Sequence, residues 1–293
     1  MIQAAGANPD AMPGPIPPLR LPVPARTFER RAARFAELAP RHAAGDYLAF
    51  LAELASAQAR ACQDASLVLD ERSLASSIPF HILTWRRNGV WQRTLRVILA
   101  TLGKAQPSQP VEAALRRVAA SPAEELEAWA DALLGGLYDA VDPTAAPFVG
   151  AALQVYWTRL ASGAPAEGVE RSEIGCPLCG SSAVGGIVQG DGVRYLVCAL
   201  CATEWHLPRL TCANCRSTAR LSYLGIEGGP GAVKAEACEE CRTYLKLFYL
   251  EHGPRAEALA DDVATLPLDL LMAEAGYARC GANPFLLPAQ TSS

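Results

Sequence analysis

The 293-residue sequence lacks any uncharged apolar run of the roughly 18 residues that a membrane-spanning helix needs. Residues 1–24 are rich in Ala, Gly and Pro and contain neither the basic start nor the apolar core of a signal peptide. We therefore expect no membrane insertion and a cytoplasmic location. The first 24 residues are expected to form a disordered, Pro-rich lead-in.

The sequence also lacks an excess of positive charge. Its formal net charge is -4 and its pI is about 5.7. Between Arg171 and His252, eight basic residues are balanced by eight acidic ones. Because proteins that bind phosphate backbones need several uncompensated Lys or Arg, this balance makes a nucleic-acid binder the weakest of the functions considered.

Common catalytic patterns are absent as well. The sequence contains no P-loop, no Gly-x-Gly-x-x-Gly and no Ser/His/Asp grouping, so we expect no enzymatic activity. Histidine occurs only four times. His42, His81 and His252 are isolated and interpreted as structural or solvent-facing, and His206 is not expected to be a metal ligand.

Helical periodicity dominates the first half of the chain. Apolar residues recur at steps of three and four, and Pro or Asp marks several helix starts. The pattern predicts a domain of about six helices over residues 25–165, followed by a linker. The predicted helical segments include 92–102, 111–119, 123–140 and 146–160.

Cysteine is abundant and clustered. Eight of the ten cysteines form four Cys-x-x-Cys pairs within 66 residues: Cys176, Cys179, Cys198, Cys201, Cys212, Cys215, Cys238 and Cys241. Disulfide scaffolds are short secreted chains with dispersed cysteines, so metal binding is the better interpretation. Redox Cys-x-x-Cys motifs belong beside a βαβ pattern, which is missing here.

The spacing between the pairs favours two sequential sites. Eighteen residues separate Cys179 from Cys198, and 22 separate Cys215 from Cys238. The first spacing fits a zinc ribbon and the second is slightly long. A crossed arrangement, with the first pair joined to the third, remains open. Four sulfur ligands suit either zinc or iron, and Cys62 and Cys280 are interpreted as ordinary thiols.

The glycine after the first pair has a predicted conformation. Gly180 can adopt the positive φ that a tight metal-binding turn needs after its second sulfur. Ala202, Arg216 and Arg242 follow the other three pairs, so these turns are expected to be less ideal.

Alternating residues around the cysteines predict strands. A hairpin is expected around Gly190-Asp191-Gly192, and a similar plan recurs in the second half. The fold class is therefore α+β, with two small four-cysteine domains at 172–210 and 211–252 and a C-terminal helical tail at 256–293.

Several motifs closely resemble the FdhE family of formate dehydrogenase accessory proteins. They are Cys-Pro-Leu-Cys-Gly-Ser from Cys176, the run from Arg194 to His206, Cys-Ala-Asn-Cys from Cys212, the run from Cys238 to Lys246, and Asp261 to Asp269. The resemblance implies a cytoplasmic, non-enzymatic factor that acts on the catalytic subunit of formate dehydrogenase. It also implies two rubredoxin-like domains and favours iron, with zinc as the alternative.

Two further functions stay open beside this one: a redox or sulfur-handling metalloprotein and, less favoured, a zinc-ribbon nucleic-acid binder. A homodimer is also left open. Our hypothesis for the client-binding surface is a patch in which strand alternation places Trp205 opposite its neighbours. The alternative role for Trp205 is to pack the first four-cysteine domain against its neighbour. The patch comprises Glu204, Trp205 and His206 with Arg194 and Tyr195 on the paired strand, and Asp261 and Asp262 are the next candidates.

Overall fold

The residues described by a computed structural model are 16–64, 78–165, 174–226 and 231–286. Four sequence expectations fall partly outside them: the lead-in, the linker, the turn in the second four-cysteine region and the tail, at residues 1–15, 166–173, 227–230 and 287–293. The described chain forms a helical domain, a mixed sheet and a helical C-terminal segment, which confirms the α+β class. No helix in these described ranges is long and apolar enough to cross a bilayer.

Six α-helices build the N-terminal domain within the described residues, as predicted. They are α1 Pro24–Leu38, α2 Gly45–Gln63, α3 Val90–Gly103, α4 Gln109–Ala119, α5 Ala123–Gly135 and α6 Ala146–Ser162. Helix α6 is buried on nearly every side because apolar or small residues occupy all its faces. Helices α1, α2, α3 and α5 pack around it.

Helix α5 is shorter than predicted. The periodic pattern continued to Ala140, but the helix ends at Gly135, where Gly136 takes a left-handed conformation with φ 75°. Glycine at this position is a common helix terminator because it lacks the Cβ that disfavours positive φ. A 3-10 turn, Tyr138–Ala140, follows instead.

The sheet contains eight strands among the described residues. They are β1 Leu19–Arg20, β2 Ala183–Val188, β3 Arg194–Cys198, β4 Glu204–His206, β5 Leu221–Leu224, β6 Val233–Cys238, β7 Thr243–Tyr249 and β8 Ala278–Arg279. Their order is β1-β4-β3-β2-β7-β6-β5, and β8 pairs with β7. Each four-cysteine region contributes one antiparallel three-stranded meander, β2-β3-β4 and β5-β6-β7.

The two meanders join through parallel pairing of β2 with β7, in which Ile187 lies opposite Phe248. Glycines make this junction possible. A Cβ on Gly185 would lie 2.7 Å from Cε2 of Phe248, and one on Gly186 would lie 2.7 Å from Cδ2 of Leu247. The two four-cysteine regions therefore share one continuous sheet.

The end of the lead-in is ordered, which corrects the expectation of disorder for residues 16–24. Leu19 pairs with Trp205 and Arg20 pairs with Glu204, so β1 covers the outer edge of β4. The backbone N–H of His206 also donates to the carbonyl of Pro18 at 3.0 Å. This covering leaves β4 paired on both sides.

The C-terminal segment contains two short helices, α7 Ala258–Ala264 and α8 Leu266–Glu274. Pro267 occupies the first turn of α8, where a missing N–H costs nothing, and Thr265 separates the two helices. Helix α7 packs against α1 and β2, so it lies between the helical domain and the sheet. Leu268 and Met272 of α8 pack instead on Ala235 and Ala237 of β6.

Candidate metal centres

Each Cys-x-x-Cys pair forms a tight turn with the same backbone geometry. The residue after the second cysteine has positive φ in all four turns: 74° at Gly180, 57° at Ala202, 64° at Arg216 and 54° at Arg242. The prediction for Gly180 is confirmed. The other three turns reach the same geometry despite a Cβ, which costs roughly 1–2 kcal/mol per residue.

The same hydrogen bonds close the first turn of each meander. The N–H of Cys176 donates to the carbonyl of Ser181 at 2.8 Å, and the N–H of Cys212 donates to that of Ser217 at 2.8 Å. The two four-cysteine regions are therefore duplicated in local geometry, and each turn aims its two sulfurs to one side.

The first cysteine quartet brings together Cys176, Cys179, Cys198 and Cys201, all buried, with their sulfurs within 4.8 Å of one another. The Sγ–Sγ distances are 3.5 Å for Cys176–Cys201, 3.4 Å for Cys179–Cys198 and 3.6 Å for Cys179–Cys201. These distances are too long for disulfides. They approach the edge of about 3.8 Å in a tetrahedron whose metal–sulfur bonds are about 2.3 Å.

The second cysteine quartet consists of Cys212, Cys215, Cys238 and Cys241. Cys212 and Cys241 lie 3.7 Å apart between their sulfurs, as do Cys215 and Cys238. The pairs therefore group in sequential order, and the crossed arrangement is not found. Each quartet could hold one tetrahedral metal ion.

A threonine contacts one sulfur in each quartet. Oγ1 of Thr203 lies 3.1 Å from Sγ of Cys201, and Oγ1 of Thr243 lies 3.0 Å from Sγ of Cys241. Hydroxyl and N–H donors stabilise a thiolate because they place partial positive charge beside the sulfur. Sequence reasoning missed both threonines, although the last cysteine of each quartet begins a Cys-x-Thr motif.

Burial and neighbouring donors shift the pKa values of these cysteines in opposite directions. Burial raises the pKa of Cys176 and Cys179 well above the usual thiol value. Burial likewise raises the pKa of Cys212 to about 12. Against the effect of burial, hydrogen bonds from neighbouring thiols lower the pKa of Cys198, and those from Thr243 and Asn214 lower the pKa of Cys241 to about 6. A divalent metal ion would offset the repulsion among four thiolates at this spacing.

The first quartet is built into the core of the helical domain. The N–H groups of Phe80 and Ile82 donate to the carbonyls of Leu178 and Cys179 at 2.9 and 3.0 Å. A third bond, 2.8 Å long, runs from the side-chain amide of Gln154 on α6 to the carbonyl of Ala199. Both turns of the first quartet are therefore anchored by the helical domain.

The second quartet is more open to solvent. Cys215 is exposed and Cys241 is partly exposed, whereas Cys212 and Cys238 are buried. Its surroundings include the C-terminal segment, where Arg242 donates to the carbonyl of Ala275 at 2.8 Å and accepts from the N–H of Ala278 at 2.9 Å. The two sites thus share ligand chemistry but differ in accessibility.

Comparison with known proteins covers nearly the whole chain. Family models for the FdhE N-terminal, central and C-terminal domains match residues 16–173, 175–209 and 210–286. The chain belongs to the FdhE family. The resemblance noted in the cysteine motifs is therefore confirmed.

Individual FdhE proteins agree with this assignment. An FdhE homolog of Cronobacter sakazakii is 41% identical over 289 residues, covering 94% of this chain and 93% of the relative. FdhE of Escherichia coli is 40% identical with the same coverage. The crystal structure of FdhE from Pseudomonas aeruginosa matches with a TM-score of 0.82 at 36% identity, covering 93% of this chain and 99% of that one.

The predicted client-binding patch is only partly at the surface of this FdhE-family chain. Strand β4 places Trp205 in the interior and leaves Glu204 and His206 partly exposed, in agreement with the expected alternation. Tyr195 is buried, and its hydroxyl donates to the carbonyl of Pro17 at 2.8 Å. Glu204 and His206 are therefore the patch residues that a partner could reach.

Arg194 is corrected from a surface residue to a fully buried one. Its guanidinium donates to Glu236 at 2.5 Å and to the carbonyls of Leu207, Pro208 and Thr211 at 3.2, 2.7 and 2.8 Å. A guanidinium with this many partners can be buried because each N–H bond replaces a bond to water. Its bonds to the three carbonyls hold the segment that connects the two meanders.

Asp261 and Asp262 are also interior residues, which corrects their assignment as an alternative surface. Both oxygens of Asp261 accept from Arg34, at 2.6 and 2.9 Å. Asp262 pairs with Lys246 at 3.1 Å and with Arg279 at 2.5 Å. These carboxylates fasten the C-terminal segment to α1 and β7.

Two of the isolated histidines contact other parts of the chain. Nε2 of His42 lies 3.0 Å from the carbonyl of Ala264, and His81 packs against Gly180. Cys62 and Cys280 belong to neither quartet, and burial raises the pKa of each to about 12. Burial therefore favours the protonated form of both thiols.

Proposed function

We propose that this chain is a non-enzymatic accessory factor for formate dehydrogenase that binds the catalytic subunit in the cytoplasm during its maturation. The principal support is membership of the FdhE family across almost the whole length of the chain. The proposal also requires a reason why the chain carries two metal sites without acting as an enzyme.

The single observation that carries this non-enzymatic role is the closure of both cysteine quartets. Each supplies four sulfurs at tetrahedral spacing. Structural metal sites are closed in this way, whereas catalytic zinc sites keep a position open for water or substrate. The eight cysteines would hold two metal ions, and the metal would supply folding energy for the two meanders.

Client recognition in this proposal uses the partly exposed side chains of β4. Glu204 and His206 flank the buried Trp205 and face away from the core. Arg194, Tyr195 and Trp205 then act beneath the surface, where they fix the strand that presents the two contact residues. The bonds of Asp261 and Asp262 maintain the helical frame around the sheet.

A second candidate function is redox or sulfur handling at the second cysteine quartet. The exposure of Cys215 favours it, because a partner can reach this sulfur without unfolding the chain. Iron held by four thiolates would supply one-electron chemistry, whereas zinc would not.

Complementation in a host strain lacking its own copy of this protein tests the first proposal. The double change Glu204→Ala with His206→Ala should lower formate dehydrogenase activity and weaken co-purification of the catalytic subunit. The matched control is Glu112→Ala with Gln109→Ala on the exposed surface of α4, which should behave as the unmodified chain. Normal co-purification of the subunit with the β4 double variant would contradict the assigned contact surface.

Metal exchange separates the two functions. Chains reconstituted with zinc alone and with iron alone are compared for their ability to restore formate dehydrogenase activity in extracts of the deletion strain. An accessory role without electron transfer predicts equal activity for both forms. Activity restored by the iron form only would favour the redox function.

A further inference from the structure

A cleft unrelated to the cysteine quartets lies where α1 meets the β1–β4 edge of the sheet. Its volume is about 370 Å³, within the usual range for small-ligand sites. The segment after β7 forms its remaining wall. Its charged lining consists of two glutamates, Glu37 and Glu204, and four arginines, Arg20, Arg30, Arg34 and Arg255.

Two of the guanidinium groups are held in place before any ligand arrives. Arg20 lies 3.6 Å above the ring of Tyr195. With its amide carbonyl turned towards Arg20, Gln189 accepts from the two terminal nitrogens at 2.8 and 3.1 Å. Arg34 is fixed by its two bonds to Asp261, of 2.6 and 2.9 Å. Fixed donors lose less entropy when they bind an anion.

The other two arginines are available to a ligand. Arg30 is exposed, and no described carboxylate pairs with it. Arg255 pairs with Glu37 at 2.6 Å, but its side chain is 76% exposed. The Arg20–Glu204 pair is long at 3.5 Å. Exposed pairs of this kind contribute about 0–1 kcal/mol, so an anion can displace the carboxylates.

Charge counting gives the sign of the ligand. The four arginines face three carboxylates, namely the two glutamates of the lining and Asp261 behind Arg34. A positive excess remains in a chain whose formal net charge is -4. The fork of a guanidinium matches the oxygens of phosphate and carboxylate groups, and several guanidinium groups lining one cleft favour an anion with more than one charge.

We propose that this cleft binds a phosphoryl group carrying at least two negative charges, as in a diphosphate. Arg20 and Arg34 provide the fixed donors, and Arg30 and Arg255 close on the ligand from α1 and from the segment after β7. The cleft shares Glu204 with the proposed client surface, but its test measures anion binding and does not depend on formate dehydrogenase.

Isothermal titration of the full-length, metal-loaded protein with inorganic pyrophosphate at low ionic strength provides the test. We expect one saturable site per chain. Replacing two donors with Arg30→Gln and Arg255→Gln should raise Kd about tenfold or more, since charge-assisted bonds are lost. The control Arg93→Gln with Arg116→Gln removes two exposed guanidinium groups outside the cleft and should leave Kd within about twofold.

A variant that should strengthen binding distinguishes loss of the site from loss of folding. Glu37 pairs with Arg34 at 3.1 Å as well as with Arg255. Glu37→Gln removes this competing carboxylate, so it should lower Kd for pyrophosphate by about threefold. Absence of saturable binding, equal weakening in the control pair, or weaker binding by Glu37→Gln would each overturn the proposal. Tighter binding of succinate than of pyrophosphate would assign the cleft to carboxylates instead.

Discussion

Arg194 and Glu236 form a buried ion pair with a distance of 2.5 Å between Nη1 and Oε1, although they lie 42 positions apart in the chain. Arg194 belongs to β3 of the first meander and Glu236 to β6 of the second. Tyr223 donates a further bond to the same carboxylate at 2.9 Å. The pair therefore connects the two four-cysteine regions beyond their shared sheet.

Loss of this pair should destabilise the junction of the two meanders. Arg194→Met keeps much of the side-chain volume but leaves Glu236 buried without its cation, which should cost about 3–5 kcal/mol. Urea unfolding followed by circular dichroism measures the loss. Arg220→Met is the control, because Arg220 is 71% exposed and lies 4.0 Å from Glu240. Equal midpoints for the two variants would show that the buried pair does not stabilise the junction.

Gly185 at the β2–β7 junction should not tolerate a side chain. Gly185→Ala would place a Cβ 2.7 Å from the ring of Phe248 and 3.2 Å from the carbonyl of Lys246. Overpacking of this kind costs about 1–3 kcal/mol, measured as a lowered melting temperature. Gly190→Ala is matched to it, since nothing lies within 4 Å of a Cβ there. The junction assignment fails if both substitutions leave the melting temperature unchanged.

The two cysteine quartets should differ in their effect on the helical domain. Cys176→Ser should expose amides of α6 to hydrogen exchange, because the first quartet receives bonds from Phe80, Ile82 and Gln154. Cys241→Ser should raise exchange mainly in β5, β6 and β7. Hydrogen exchange followed by mass spectrometry distinguishes these patterns. Equal protection of α6 in both variants would mean that the first site is not part of the helical core.

Alkaline pH should weaken the contact between α2 and the C-terminal segment. The hydroxyl of Tyr47 donates to the carbonyl of Phe285 at 2.7 Å, and burial raises the pKa of Tyr47 to about 12. The unfolded chain loses this proton near pH 10, so the stability that the neutral hydroxyl contributes is present below pH 10 and is lost as the pH rises towards about 12.

The variant Tyr47→Phe lacks this ionisation. The unfolding free energies of the unmodified chain and of Tyr47→Phe should therefore converge as the pH rises from 9 to 11. The advantage of the unmodified chain should shrink by about 1.4 kcal/mol across this interval. Tyr138→Phe tests whether the effect is general, because Tyr138 lies outside this contact. A constant difference between the chains at both pH values would contradict the assigned cause.

Local patterns in the sequence predicted much of this fold. Cysteine spacing predicted the sequential quartets, because each four-residue turn is a local structure and the intervening hairpin has a limited length. Alternation around Trp205 predicted which β4 side chain is buried, since neighbouring side chains of a strand face opposite sides. Helical periodicity predicted six helices, and only the end of α5 was displaced by Gly136.

Contacts between distant parts of the chain could not be predicted from the sequence. Arg194 was expected at the surface as part of the client-binding patch, but its partner Glu236 belongs to a distant strand that local patterns do not reveal. The same reason explains the misplacement of Asp262, whose partner Lys246 comes from β7. The pairing of β2 with β7 depends on Gly185 and Gly186, which a single sequence offers only as an apolar strand with two glycines.

Native mass spectrometry of anaerobically purified protein tests the central claim most directly: two closed four-sulfur sites, one in the core and one at the surface. The account predicts two metal ions per unmodified chain, and one after Cys215→Ser with Cys241→Ser, which removes only the accessible site. Loss of both ions in that variant, or a single ion in the unmodified chain, would contradict it.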